Sequence, residues 1–203
     1  MSYKSIGENL GIRLLDIEEI DDRIMAWFQD DSLMQYYTNS KSTISYHSLV
    51  EAIKKGREDE NNYTYGIYYK ENGTCIGTLK IGTINKAHKI SDLVVLIGDK
   101  NYHGRGLAIE AIRLGNEIAF EHHGIRKLFG GMYASNQSSV KAYIRAGWII
   151  ESILHGHYLN NDMNEDRIEV GCFNPTLFSA EYVKKCRMLT LDDYLSKYFS
   201  TPN

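Results

Sequence analysis

Ile97-Gly98-Asp99-Lys100-Asn101-Tyr102-His103-Gly104-Arg105-Gly106-Leu107-Ala108 is the stretch on which the fold turns. Before it, Ile90 to Ile97 is a mostly apolar run of strand length, which predicts burial on both faces. After it, Ala108, Ala111, Ile112, Gly115 and Ala119 recur at helical spacing and predict a helix that stops near Gly124. A turn between such a strand and helix leaves the first helical N–H groups without partners. Gly104 and Gly106 lack Cβ atoms, so an oxyanion can approach the backbone closely. Lys100, His103 and Arg105 add positive charge, and a phosphate-bearing ligand suits the place. Two common nucleotide motifs do not fit. A dinucleotide fingerprint needs a third glycine where Ile109 stands, and a P-loop needs Gly-Lys followed by Ser or Thr, whereas Gly106 is followed by Leu107. A structural turn with no ligand is the competing reading.

On the N-terminal side, Gly11 to Leu15 reads as a strand. Ile20, Ile24, Trp27 and Phe28, and then Tyr46, Leu49, Val50 and Ile53, mark two helices joined by the polar segment Leu33 to Lys41. Tyr63 to Tyr69 and Thr74 to Ile81 are β-rich runs joined through Asn72-Gly73, a hairpin signal. On the C-terminal side, Lys127 to Tyr133 is a short strand. Ser138 or Ser139 can cap a helix carrying Val140, Tyr143 and Ile144 and ended by Gly147. Ile149 to Leu159 and Arg167 to Phe173 form a last hairpin across Asn160-Asn161-Asp162. Both prolines, Pro175 and Pro202, fall in the last thirty residues, and Ser179 to Phe199 reads as two short helices with Thr190 as a cap. The order βααβββαβαββ plus a helical tail predicts an α/β fold on a mixed sheet. The expected organisation is one domain over 1–174 and a helical C-terminal extension over 175–203.

The 203 residues carry 23 basic and 26 acidic side chains, a net charge of −3, which argues against retention on nucleic acid or membrane by bulk positive charge. Apolar residues at 43% and charged residues at 24% exclude a disordered or fibrous chain. Leu93 to Ile97, the longest strongly apolar stretch, is too short to span a bilayer, and Met1 to Leu10 has no apolar h-region. Cys75, Cys172 and Cys186 lack metal-ligand or redox spacing, so they read as reduced thiols of a cytoplasmic protein without a metal.

A second stretch, Asn136-Gln137-Ser138-Ser139-Val140-Lys141-Ala142-Tyr143-Ile144-Arg145-Ala146-Gly147-Trp148, places an asparagine before a helix and a tyrosine two turns on. Alone, Tyr143 reads as a core tyrosine. Together the two stretches resemble the GNAT superfamily of acetyl-CoA-dependent N-acetyltransferases, over roughly residues 10–174. That family's CoA loop reads Gln/Arg-x-x-Gly-x-Gly/Ala. Gly104 and Gly106 fill its small positions, while Asn101 departs from its first. Asn136, Ser139, Tyr143, Gly147 and Trp148 match its Asn-x-x-Ser-x-x-x-Tyr-x-x-x-Gly-aromatic pattern.

The resemblance implies a mostly antiparallel sheet, flanked by helices, whose middle strands splay apart after a bulge. Acetyl-CoA would enter that wedge, its pantetheine bonded along Val95, Leu96 and Ile97 and its pyrophosphate resting on the amides of His103, Gly104, Arg105, Gly106, Leu107 and Ala108. Asn136 and Ser139 would lie beside it, and Tyr143 would be the acid that protonates the departing thiolate. No covalent enzyme intermediate is needed. For the base, Asp92 stands near the position where many relatives have Glu; Asp99, His155, His157 and a chain of waters are alternatives. The acceptor wall is expected from Gln35, Tyr36, Tyr37, Asn39, His155, His157 and Tyr158, polar and aromatic rather than acidic. That favours a small-molecule primary amine on a polyhydroxylated or neutral body over a polyamine. Ile76 to Gly82, with Ile84-Asn85, His88 and the glycine turn, resembles family members of surface-polysaccharide gene sets, which implies an amino-sugar nucleotide. The N-terminus of a ribosomal protein is the alternative acceptor, and a non-catalytic acyl-CoA-binding module the alternative class. The tail is left with three roles: packing on the domain, closing the acceptor site, or mediating a homodimer.

Overall fold

β-branched and aromatic runs pair into strands where the sequence places them. They are β1 (Ser5–Ile6), β2 (Leu10–Leu14), β3 (Tyr63–Tyr69), β4 (Thr74–Ile81), β5 (Ile90–Ile97), β6 (Lys127–Tyr133), β7 (Ile149–Asn160) and β8 (Met163–Phe173). The computed structural model describes residues 4–37 and 44–200, and among these the strands form one sheet in the order β1-β2-β3-β4-β5-β6-β8-β7. Every neighbouring pair is antiparallel except β5 with β6, which is parallel.

The helices are α1 (Asp22–Gln29), α2 (Asp31–Met34), α3 (Tyr46–Glu58), α4 (Leu107–Glu117), α5 (Gln137–Arg145), α6 (Ala180–Cys186) and α7 (Leu191–Phe199). They cover the two faces of the sheet with separate cores. Leu107, Ala111, Ile112 and Leu114 of α4 share one with Leu79, Leu93, Leu128, Val170 and Trp148. Ile24 and Trp27 of α1 and Val50 and Ile53 of α3 share the other with Tyr68 and Cys75. Both rest on period-3.6 stripes packed against period-2 strands.

Several details differ from the sequence reading. β1 and α2 are additional, because two and four residues are too few to show a period. β8 begins at Met163 rather than Arg167, since Asn161 and Asp162, both at positive φ (50° and 62°), turn the hairpin in two residues. Asn136, not Ser138 or Ser139, caps α5, its side chain accepting from the Ser139 amide. β5 is not buried on both faces: Val94 to Ile97 are half-buried, because the parallel pairing with β6 stops at Asp92↔Phe129 while β4 stays paired out to Gly77↔Ile97. Beyond Asp92 the strand has one open edge.

The tail continues the sheet's architecture. The Met188 amide donates to the Ile150 carbonyl at 2.8 Å and Leu189 bridges Ile150, so this segment lies against β7, the last strand of the sheet. Tyr194 of α7 is fully buried in the α4/α5 core, and its hydroxyl donates to the Ala134 carbonyl at 2.8 Å.

Candidate active site

The open edge of β5 forms one wall of a cleft of about 620 Å³. Period-2 geometry decides which backbone groups face it. Asp92 O accepts from Gly82 at the end of β4, whereas Leu93 O and Ile97 O receive bonds from Tyr143 and His103. Residues 93, 95 and 97 therefore face the cleft, and 92, 94 and 96 face β4. The expectation for Leu96 is corrected accordingly. The residue borders the cleft and packs against the α1/α3 core, but its backbone belongs to the β4 ladder. The register from Gly77↔Ile97 to Ile81↔Leu93 has no shift; the bulge comes at the exit, where the Gly98 and Asp99 amides share the Ile76 carbonyl at 2.9 and 3.1 Å.

Gly98 then passes under Trp27, so close that a Cβ would lie 2.0 Å from the indole. The next turn opens the head of the cleft. Gly104 and Gly106 sit at φ 74° and 75°, and an added Cβ at either would meet no protein atom, so the space above the turn is left free. Gly106 is the N-cap of α4 and offers no side-chain acceptor. The amides of Gly104, Arg105, Gly106, Leu107 and Ala108 find no backbone or side-chain acceptor among the described residues. His103 does not join this run: its amide donates to Lys100 O at 3.2 Å, and its Nε2 lies 2.7 Å from Ile97 O. Five consecutive free donors at a helix N-terminus fit a diphosphate.

Other residues named from the sequence are placed differently. Lys100 is not available to a ligand, because it pairs with Asp30 at 2.5 Å and Ser32 Oγ at 3.0 Å, and pulls the Asp30 carboxyl down to about 2. This ties the turn to the α1–α2 junction, so Ser32, Leu33, Gln35 and Tyr36 line the cleft. Asn101 bonds Asp99. Arg105 leans over the Tyr102 ring, 5.1 Å from its centroid, and lines a neighbouring cavity.

α5 makes the opposite wall. Asn136 Oδ1 is used by the Ser139 amide at 3.2 Å and Ser138 Oγ at 3.1 Å. Ser138, Lys141, Ala142 and Arg145 line the cleft with Asn136, Ser139 and Tyr143. The sequence reading passed over these four, although their i, i+3, i+4, i+7 spacing marks one helical face. Tyr143 packs edge-on against Trp148 at 4.9 Å, and its hydroxyl donates to Leu93 O at 2.8 Å. Burial pushes its phenol well above the ordinary tyrosine value, with the Val95 amide bonded to its oxygen working the other way and the Asp92 charge adding to the rise.

Asp92 sits where β5 and β6 part. Its Oδ1 is buried without a hydrogen-bond partner, and burial raises its carboxyl above the ordinary range despite the charge of Lys80. Tyr37 feels that charge too: desolvation first and Asp92 second raise its phenol. Tyr36 lies 5.6 Å from Tyr133, which stacks on Tyr158 at 4.1 Å. His155 and His157 do not reach the cleft. His155 is exposed and bonds Asp166 at 3.0 Å, and His157 is an exposed ring against Tyr158. Asn39 lies outside the described residues.

Residues 9–149 match the family described as Acetyltransferase (GNAT) domain. The chain is 22% identical over 178 residues to the probable N-acetyltransferase YjcK of Bacillus subtilis (strain 168), covering 83% of this chain and 96% of that protein. It is 20% identical over 150 residues to the spermidine N(1)-acetyltransferase of Escherichia coli (strain K12), covering 73% and 79%. The crystal structure of spermidine N-acetyltransferase from Vibrio cholerae in complex with CoA and spermine shares the fold at a TM-score of 0.73 and 19% identity, over 81% of this chain and 95% of that one. The ribosomal-protein-S5-alanine acetyltransferase from Vibrio fischeri does so at 0.70 and 16%, over 84% and 96%. This chain belongs to the GNAT acetyltransferases and is an acetyl-CoA-dependent N-acetyltransferase.

Proposed function

We propose that the cleft directs acetyl transfer to a single primary amine, with Asp92 as base and Tyr143 as acid. The observation that carries this is the convergence, at the point where β5 leaves β6, of a buried unpartnered carboxylate oxygen and a buried phenol that feels its charge. The diphosphate of acetyl-CoA rests on the amides of Gly104 to Ala108, and the open groups of Val95 and Ile97 receive the pantetheine arm beside Asn136 and Ser139. An ammonium has no lone pair, so Asp92 takes a proton from the acceptor and frees the nitrogen for attack on the thioester carbonyl. Protonation of Asp92 removes the negative charge that helped to hold the Tyr143 proton. As the C–S bond breaks, Tyr143 turns its O–H from Leu93 O and protonates the leaving sulfur, while the Val95 N–H holds the phenolate oxygen in place; the second proton of the attacking nitrogen passes to that phenolate, and Asp92 releases its own to solvent.

The carboxylates around the aromatic wall favour an acceptor with one charged nitrogen. Glu165 takes the Ser135 amide and Asn160 Nδ2, both at 2.6 Å. Glu169 pairs with Arg167, Glu151 with Lys127, and Asp166 with His155 and the Tyr198 hydroxyl. Asp92 is left to meet an ammonium, and Tyr36, Tyr37, Tyr133 and Tyr158 offer ring faces and hydroxyls of the kind that suit a sugar. An amino-sugar nucleotide is the acceptor we favour. The named relatives support a second reading, a polyamine, since two of those above are spermidine acetyltransferases. Thiol release from acetyl-CoA, measured over amino-sugar nucleotides, spermidine and N-terminal peptides, decides the acceptor. Turnover with an amino sugar alone supports the first reading and turnover with spermidine alone the second. Tight CoA binding with no turnover above hydrolysis on any amine would return the chain to a binding module. A reducing cytoplasm suits the free thiols of Cys75, Cys172 and Cys186.

A further inference from the structure

Where β6 leaves β5, one face of the sheet continues past the last pairing. Asp92 and Phe129 are register partners and share that face, and Gly131 and Tyr133 follow on it at period 2. The register of β6 with β8 sets Glu169 opposite Gly131 and Arg167 opposite Tyr133. Glu169 is thus two residues along and two strands across from Asp92, about 12 Å by strand spacing. That is comparable to the end-to-end span of an extended triamine. An amine that comes to Asp92 from this face meets Arg167 and Glu169 beyond it. Both side chains are half-buried, with 26% and 21% of their surface exposed.

The two are ion-paired along the Nε edge of the guanidinium. That nitrogen is buried and has no aligned hydrogen bond, so the charge of Glu169 is what compensates it. Arg167 lies flat on the sheet because Gly131 has no side chain; a Cβ there would overlap Nε and Cζ. The guanidinium carbon stands 5.6 Å from the Tyr158 ring centroid, and Arg167 donates to the Tyr158 hydroxyl. Tyr158 stacks on Tyr133, which in turn meets Tyr36 of the cleft. The pair is therefore built into the aromatic wall. An ion pair of this kind contributes little to stability, and its larger consequence is the field it cancels. Without Arg167, Glu169 would hold an uncompensated negative charge on the same face as Asp92 and attract a second ammonium. We infer that Arg167 is a specificity determinant: by neutralising Glu169 over the Gly131 floor, it makes the enzyme prefer an amine with one charged nitrogen over a polyamine. The inference rests on the proposed reading of the acceptor and assigns its selectivity to one ion pair.

The test is calorimetric titration of spermidine into the full chain saturated with coenzyme A, beside thiol release from acetyl-CoA with spermidine and with butylamine. The chains compared are the wild type, Arg167→Met, Arg167→Met/Glu169→Gln and Gly131→Ala. Arg167→Met keeps much of the aliphatic stem and bares Glu169, so spermidine affinity is expected to rise about ten-fold. The kcat/KM ratio of spermidine to butylamine should rise with it, mainly through KM. The double substitution removes the bared charge and returns both quantities to the wild-type level. Gly131 lies in ordinary strand backbone, so Gly131→Ala lifts the guanidinium off the sheet without removing it. It should move the affinity the same way by a smaller factor, and it carries the test if Arg167→Met does not fold. Coenzyme A affinity is expected to stay at the wild-type value and reports that each variant folds. Added salt shrinks the gain, as partly exposed charges are screened. A spermidine affinity that does not rise in the folded variants, or a gain that survives loss of the Glu169 charge, overturns the inference. Preference of the wild type itself for spermidine over butylamine overturns the single-nitrogen reading beneath it. That result is read from the wild type alone, so the two failures are distinguishable.

Discussion

The Tyr143 hydroxyl meets two backbone groups, Leu93 O and the Val95 amide, on the strand edge that β6 abandons. Tyr143→Phe removes the acid and leaves the cleft's shape. Turnover is expected to fall by about a hundred-fold or more, while acetyl-CoA affinity by calorimetry stays within a few-fold. Near-normal turnover would take the phenol out of the mechanism. Asp92 gives a pH prediction whose sign follows from burial. Its folded pKa is raised above the unfolded value, so the folded chain binds more protons between the two. Stability is then greatest below the unfolded value and declines as pH rises through the folded one, while the basic form required for catalysis appears over the same rise. The acid limb of kcat/KM should therefore lie above the ordinary carboxylate range. Asp92→Asn should remove that limb, lower kcat/KM and raise the melting temperature at neutral pH. An Asn variant both less active and less stable would mean that the carboxylate serves the fold.

At the scale of elements, the turn between β5 and α4 does its work through backbone conformation. Gly106→Ala places a side chain at φ 75°, a region that costs an ordinary residue about 1–2 kcal/mol. Its Cβ would meet no protein atom, so the damage falls on the donors rather than on packing. Acetyl-CoA affinity is expected to drop about ten-fold by calorimetry with only a modest loss in melting temperature. Unchanged affinity would mean that these amides hold no phosphate. The same element shows what the sequence discloses. Paired glycines between an apolar run and a helical stripe announce a donor-rich turn, because no other residue enters that conformation cheaply. The Asn136-to-Trp148 pattern likewise marks the wall that carries Tyr143. The sequence is silent on pairing, which depends on distant partners. Apolar composition along β5 does not show that β6 departs at Asp92. Nothing near Lys100 foretells Asp30, and nothing near His155 foretells Asp166, the partners that hold these two side chains. The direction of the Leu96 backbone groups is likewise not legible, because strand parity is fixed only once a neighbour is known.

Over the whole molecule, the tail is continuous with the core that supports the catalytic wall. Tyr194 is fully buried and caps the Ala134 carbonyl two residues before Asn136, the residue that starts α5. Leu189, Leu191, Leu195 and Tyr198 pack on the same core, and Met188 and Leu189 lie along β7. Removing a buried aromatic side chain alone costs about 3–5 kcal/mol, a large share of a domain's stability. Ending the chain at Asn174 should therefore lower the thermal and urea midpoints sharply, and the isolated 1–174 segment should lose its cooperative transition or much of it. Tyr194→Phe is the finer probe, since it keeps the ring and strands the Ala134 carbonyl, at a cost of about 1–3 kcal/mol. Because that carbonyl sits at the entrance to α5, kcat should fall with the melting temperature in this variant, and acetyl-CoA affinity should follow as Asn136 loosens. A 1–174 chain that melts and turns over like the full protein would show the tail to be an appendage, with the wall of the cleft secured by the sheet alone.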